Sequence, residues 1–170
     1  MDIILNRRSV RSYDLNKKIS HEELLDLCKY GESAPSARNQ KGREYIIIDN
    51  LEIIEKLSNI SKGALILKGC NTVIAVIGKN PNTISTPHMQ IEDLSAATQN
   101  ILLASTMKGY GSCWIGVCPV EERLEMANKI LKVKDGAYVF SLIALGYPAK
   151  ENSFYEISKL EENMVHYNEY

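Results

Sequence analysis

Gln90 to Gly116, QIEDLSAATQNILLASTMKGYGSCWIG, joins a long apolar segment to a glycine-rich one. Leu94, Ala97, Ile101, Leu102 and Ala104 recur at helical spacing, so a long apolar helix is predicted from about Gln90 to Lys108. Gly109 ends it, because a glycine one place past a helix accepts the left-handed conformation without strain. Ser112 to Val117 then reads as a strand. Toward the N-terminus, Thr72 to Gly78 (TVIAVIG) is continuously apolar, the pattern of a strand buried on both faces. Between this strand and the long helix, Lys79 to His88 carries two prolines and two asparagines and reads as a loop.

Glu44 to Asp49 is short and rich in β-branched residues, a further strand, and Asn50 caps a helix carrying Ile53, Ile54 and Leu57 that ends near Ser61. Ser20 with Glu23 three places on is a capping-box pattern. It opens a helix from about His21 to Glu32, with Leu24, Leu27 and Cys28 on one face, stopped by Ala34-Pro35-Ser36. On the C-terminal side, Pro119 suits the first turn of a helix from about Val120 to Leu131. Ala137 to Leu145 is a third long apolar strand, closed by Gly146-Tyr147-Pro148. Helices and strands therefore alternate through one α/β layer structure with no repeat or linker. The tail from Lys150 to Tyr170 is polar yet keeps Phe154, Tyr155, Val165, Tyr167 and Tyr170. Such aromatics are expected to dock on another surface, with a second subunit as the candidate.

The bulk properties narrow the function. The 170 residues are the usual size of one domain, and 45% apolar with 24% charged residues is the balance of an ordinary soluble protein. A net charge of −1 with mixed signs offers no broad basic face for nucleic acid. No apolar run approaches the roughly 20 residues of a membrane span, and the N-terminus lacks the core of a signal peptide. Cys28, Cys70, Cys113 and Cys118 show no paired framework and no zinc or redox spacing, so free thiols in a reducing cytoplasm are expected. The histidines suggest no metal motif. No G-x-S-x-G and no cysteine–histidine arrangement points to a nucleophile, so the chemistry is expected to come from a cofactor.

Three segments can bear a ligand. Arg7-Arg8-Ser9-Val10-Arg11 puts three guanidiniums and a hydroxyl within five residues, either an anion site or a solvated basic edge. Ala34-Pro35-Ser36-Ala37-Arg38-Asn39 is either a tight loop that approaches a flat ligand or a plain helix-terminating turn. In Gly109 to Gly116, glycines let backbone N–H groups come near a ligand, or Trp114 is simply core at a strand entry. The last is not a phosphate-binding G-x-G-x-x-G, because the spacing differs and no strand precedes it.

Taken in order, these segments resemble the FMN-dependent nitroreductase family, in particular its short single-domain members. Arg7 to Tyr13 is similar to the family's N-terminal phosphate motif, and Ala34 to Asn39 to its A-P-S-A-x-N loop. Asp93 to Ala104 resembles its central dimer helix, Gly109 to Gly116 its G-x-G-S-C-W-I-G stretch, Leu145 to Pro148 its L-G-Y-P, and Val165 to Asn168 its V-H-Y-N. The resemblance covers nearly the whole chain. It implies an α/β (α+β) nitroreductase-like fold, one FMN-binding domain over residues 1–170, with a central mixed or antiparallel sheet flanked by helices. It also implies a homodimer with exchanged tails and FMN at the interface.

By the same resemblance, Arg7, Arg8 and Ser9 hold the FMN phosphate and Arg11 faces the pyrimidine edge. Pro35, Ser36, Ala37 and Asn39 line the flavin from the other subunit. Cys113, Trp114, Ile115 and Gly116 lie along the isoalloxazine, with the N–H of Ile115 or Gly116 near N5 and O4. Lys159 stands where the family often has a phosphate-binding arginine. The implied activity is reduction of nitroaromatic, quinone or similar electron-poor acceptors by NADH or NADPH, in a ping-pong sequence and without an obligatory catalytic side chain. Two departures are visible: Lys41-Gly42-Arg43 stands where the family has Q-P-W, and only Asn59 or Lys62 offers a counterpart to a further flavin contact. Reductive dehalogenation or flavin destruction would call for lid segments, and the chain is short between Gly63 and Thr72 and between Lys79 and Met89. A flavin-binding redox sensor with little turnover, or a dimeric interaction module without flavin, are the other readings.

Overall fold

Caps and apolar spacing set the elements. In the computed structural model, which describes residues 2–156 and 160–170, they run α1 (Ile3–Asn6), α2 (His21–Glu32), β1 (Arg43–Ile48), α3 (Leu51–Ser58), β2 (Thr72–Gly78), α4 (Gln90–Met107), β3 (Gly111–Gly116), α5 (Glu121–Leu131) and β4 (Tyr138–Gly146). Ser20 Oγ accepts from the Glu23 N–H at 3.2 Å, and Asn50 Oδ1 from the N–H groups of Glu52 and Ile53 at 2.9 and 3.2 Å. Gly109 follows α4 at φ +78°, as its place predicts. Glu23 does not complete the capping box; it pairs with Lys108 at 2.8 Å.

β2 has the bounds its sequence predicts, and β1, β3 and β4 are offset by one residue. The start of α5 differs for a physical reason: Val120 is its N-cap, so Pro119 stands outside the helix, behind a cis Cys118–Pro119 peptide. Two pieces carry no periodic signal and escape the reading. One is α1, capped by the Asp2 carboxylate; the other is a run of 3-10 turns over Lys62–Gly69 that packs beside α3.

The strands form one sheet in the order β1-β2-β4-β3, each neighbouring pair antiparallel. Alternation sends Val73, Ala75 and Ile77 of β2 to one face, under α3 and α5, and Ile74 and Val76 to the other, under α2 and α4. Every residue of β2 is buried, as its unbroken apolar run requires. Side chains such as Leu27, Leu57, Ile74, Leu94 and Ile143 are sealed from solvent, each contributing about 1.5–3 kcal/mol. A register shift opposite Val76 and Ile77 leaves Phe140 unmatched in β4. The bulge turns Phe140 toward α4 and brings its ring within 6.0 Å of the Trp114 ring.

The N-terminal segment is held to the far end of this sheet by Tyr13. Gly111 and Gly146 stand opposite each other in the β3–β4 ladder. With no side chain on either, the ring of Tyr13 and the side chain of Val10 fill the space, and a Cβ on Gly146 would lie 2.9 Å from Tyr13 Cδ1. The Tyr13 hydroxyl donates to the carbonyl of Val10.

Candidate functional site

Docking by Tyr13 lays the arginine-rich segment along the outer edge of β3. Ser9 forms a parallel bridge to Ser112, and the Val10 N–H donates to the Ser112 carbonyl at 2.9 Å. Arg7 and Arg8 are half-buried, while Ser9 and Arg11 are exposed. The Arg8 guanidinium is tied to the carbonyls of Leu5 and Arg7 and lies 5.2 Å from the Tyr155 ring centroid. Its Nε is buried without a partner among the described residues. Arg11 donates to the Ser9 carbonyl at 3.1 Å. Burial pushes the Cys113 thiol up, against the pull of Arg11, Ser9 and Arg7 beside it. The thiol therefore stays protonated near neutral pH and is no nucleophile.

Beyond Ser112 the edge of β3 lies open. Since Ser112 turns its carbonyl outward, alternation turns the backbone groups of Trp114 and Gly116 outward as well, and those of Cys113 and Ile115 toward β4. Gly116 is exposed, a Cβ there would meet nothing within 4 Å, and its carbonyl accepts from Arg123 at 3.0 Å. The Ile115 N–H, one of the two groups expected to face a ligand, thus turns toward the sheet, and that of Gly116 turns outward. The side chains of Cys113 and Ile115 lie in the core, and Trp114, half-buried, packs on the opposite face.

The loop after α2 is fixed from both sides. Arg43, whose side chain is 1% exposed, reaches back to the carbonyls of Glu32 and Ala34 at 2.7 and 2.6 Å and to the Glu32 carboxylate at 3.2 Å. From α4, the Asp93 carboxylate accepts from the Ala37 N–H at 2.8 Å and from Gln40 Nε2 at 2.6 Å. Gln90 donates to the Gly42 carbonyl at 2.9 Å. Between these ties Arg38, Asn39 and Lys41 adopt φ of 50°, 53° and 46°, in the left-handed region that costs a non-glycine residue about 1–2 kcal/mol. Asn39 tolerates it best, through its short polar side chain. Pro35 is exposed, and Ser36 accepts from the Lys41 N–H at 3.1 Å.

The chain is similar to known proteins over most of its length. The family model described as "Nitroreductase family" matches residues 4–69 and 61–147. The chain belongs to the nitroreductase family. An NADH dehydrogenase/NAD(P)H nitroreductase of Archaeoglobus fulgidus is 36% identical over 92% of this chain and 89% of that protein. Among solved structures, an NADH oxidase from Clostridium acetobutylicum is 35% identical with a TM-score of 0.92, covering 99% of this chain and 100% of the other. An FMN-dependent nitroreductase from Clostridium difficile is 28% identical with a TM-score of 0.88, over 99% and 98% of the two chains. The antiparallel sheet flanked by helices is this family's fold.

Within one nitroreductase-family chain the arginine segment and the edge of β3 come together, and the Pro35–Asn39 loop is built separately against α4. Arg8 Nε, buried without a partner among the described residues, and the outward-turned backbone of Gly116, where a Cβ would meet nothing, are features that a flavin phosphate and ring edge would fit. A cleft of about 370 Å³ lies between Arg8–Ser12 and Lys150–Tyr155. Lys150 and Tyr155 there, and Asp93, Gln40 and Gln90 behind the loop, are not among the residues the sequence points to; Arg43 is marked in it only as a departure from Q-P-W. Asp93 leaves a trace in the sequence, as an acid four places before the buried Ala97 on the apolar stripe of α4. Asn59 donates to the Glu55 carbonyl at the end of α3, and Lys62 opens the 3-10 turns beside that helix. Lys159 lies outside the described residues. Among those described, no cluster of side chains suits a metal, and no helix is long and apolar enough to cross a membrane.

Proposed function

We propose that this nitroreductase-family protein is an FMN-dependent NAD(P)H oxidoreductase, acting as a homodimer on nitroaromatic, quinone or similarly electron-poor acceptors. The observation that carries the reading is the docking of the arginine segment along the edge of β3, with Arg8 Nε, unpaired among the described residues, at one end and the outward-turned backbone of Gly116 at the other. FMN, when bound, supplies hydride transfer, accepting from NADH or NADPH and passing to the acceptor in a second half-reaction.

The chain's residues bind and tune it. Arg7, Arg8 and Ser9 hold the phosphate, with Lys159 as a further cation. Arg11, exposed and beside them, sets positive charge against the pyrimidine edge, where reduction places negative charge. The backbone of Cys113, Trp114, Ile115 and Gly116 would hold the flavin ring, with the outward-turned Gly116 N–H as a donor to it. Pro35, Ser36, Ala37 and Asn39 line the flavin from the partner subunit. The four cysteines are free thiols, which supports a reducing, cytoplasmic setting.

Purified protein should be yellow or turn yellow with FMN, and NADH or NADPH should bleach it without air. Protein that remains colourless after incubation with FMN overturns the proposal. Bleaching that is slow with both donors favours the flavin-binding sensor over the reductase.

A further inference from the structure

We infer that Arg43 and Asp93 are positioning residues for flavin binding: a buried cation and a buried anion that hold the Pro35–Asn39 loop in its binding shape. The inference rests on the function proposed above. Arg43 takes the carbonyl side of the loop, binding those of Glu32 and Ala34, and Asp93 takes the N–H side, binding that of Ala37. Both are nine-tenths or more buried, and neither touches the arginine segment or the edge of β3.

A guanidinium buried to this degree is costly unless its donors are used, and here it bonds the carbonyls of Glu32 and Ala34, reaches that of Pro35 at 3.5 Å and meets the Glu32 carboxylate. Between the two ties lie Arg38, Asn39 and Lys41 in the left-handed region, a conformation that persists only where the surrounding structure holds it. Gln40 extends the Asp93 tie: its amide donates to the carboxylate at 2.6 Å, and its oxygen accepts from the Thr86 N–H at 2.7 Å. The loop before β1 is thereby tied to the segment before α4.

The test compares FMN with riboflavin. Full-length apo protein carrying Arg43→Met should fold and bind both flavins about tenfold more weakly, leaving the ratio of the two affinities as in the wild type. Arg7→Ala should instead weaken FMN alone, since riboflavin has no phosphate. Arg43→Lys keeps the charge but cannot span both carbonyls, and should fall between Arg43→Met and the wild type. Wild-type affinity for both flavins in a folded Arg43→Met protein overturns the inference, whatever its melting temperature. If Arg43→Met does not fold, wild-type affinity in Arg43→Lys does so. Asp93→Asn should also weaken both flavins together, and loss of FMN binding alone would overturn its role. A wild-type protein that binds neither flavin sinks the proposed function instead.

Discussion

At the scale of single residues, the arginines divide by what they touch. Arg7 is half-buried beside Ser9 and Cys113, whereas Arg11 is exposed and held only to the Ser9 carbonyl. Arg7→Ala should raise the dissociation constant of FMN about tenfold or more, the cost of losing charge-assisted bonds to a phosphate. Arg11→Ala should change that constant by less than about threefold, as an exposed charge does. It should, however, slow reduction by NAD(P)H about a hundredfold, measured by stopped-flow bleaching. The reverse pattern refutes the division. The thiols give a second expectation. Burial pushes Cys70 and Cys28 up to about 11 from an ordinary value of 9.0. Between those values the unfolded chain has lost protons that the folded chain retains, so stability is full below pH 9 and falls as pH rises toward 11. Urea unfolding at about pH 8 and about pH 10 should show the drop, and Cys70→Ser should make it shallower. An unchanged pH slope in that variant would remove Cys70 from the account.

At the scale of elements, β3 and its neighbours make predictions in opposite directions. A Cβ on Gly116 meets nothing, so Gly116→Ala should leave the melting temperature in place while weakening FMN, read by fluorescence titration. Equal FMN affinity would mean that no ring lies against that edge. A Cβ on Gly111 would fall 2.7 Å from Val10 Cγ1, so Gly111→Ala should cost about 1–3 kcal/mol in denaturant unfolding. Helices and strands were largely legible because their signals are local. Ser20, Asn50 and Gly109 declare helix ends, and the run TVIAVIG declares a central strand. Edge and pairing direction were not legible from the residues alone, since alternating helices and strands do not specify an antiparallel sheet. Nor was the clamp behind the Pro35 loop: Arg43 looks like any charged residue at a strand start until the end of α2 is seen to fold back over it. The outward turn of the Gly116 N–H rather than that of Ile115 follows only from the Ser9–Ser112 bridge, a contact between distant parts of the chain.

At the scale of the whole molecule, much apolar surface remains uncovered in one chain. Met107 at the end of α4 is half-exposed, and Leu160 and Tyr167 of the tail are 75% and 86% exposed, which supports the proposed pairing of two copies. Phe154 alone of the tail's aromatics packs on its own core. Met107→Glu should shift the protein toward monomers in sedimentation velocity and reduce FMN occupancy in step; monomers that keep full FMN would show each site to be complete within one chain. The Tyr13 plug carries a further consequence, for the order in which the molecule assembles. Ser9 meets Ser112 across about one hundred residues of sequence, and the slot that receives Tyr13 exists only once β3 has paired with β4. The N-terminal segment therefore has a seat only after that pairing is made. A ligand that bridges Arg8 and β3 binds the closed form alone and draws the population toward it, so loading the site also finishes the fold.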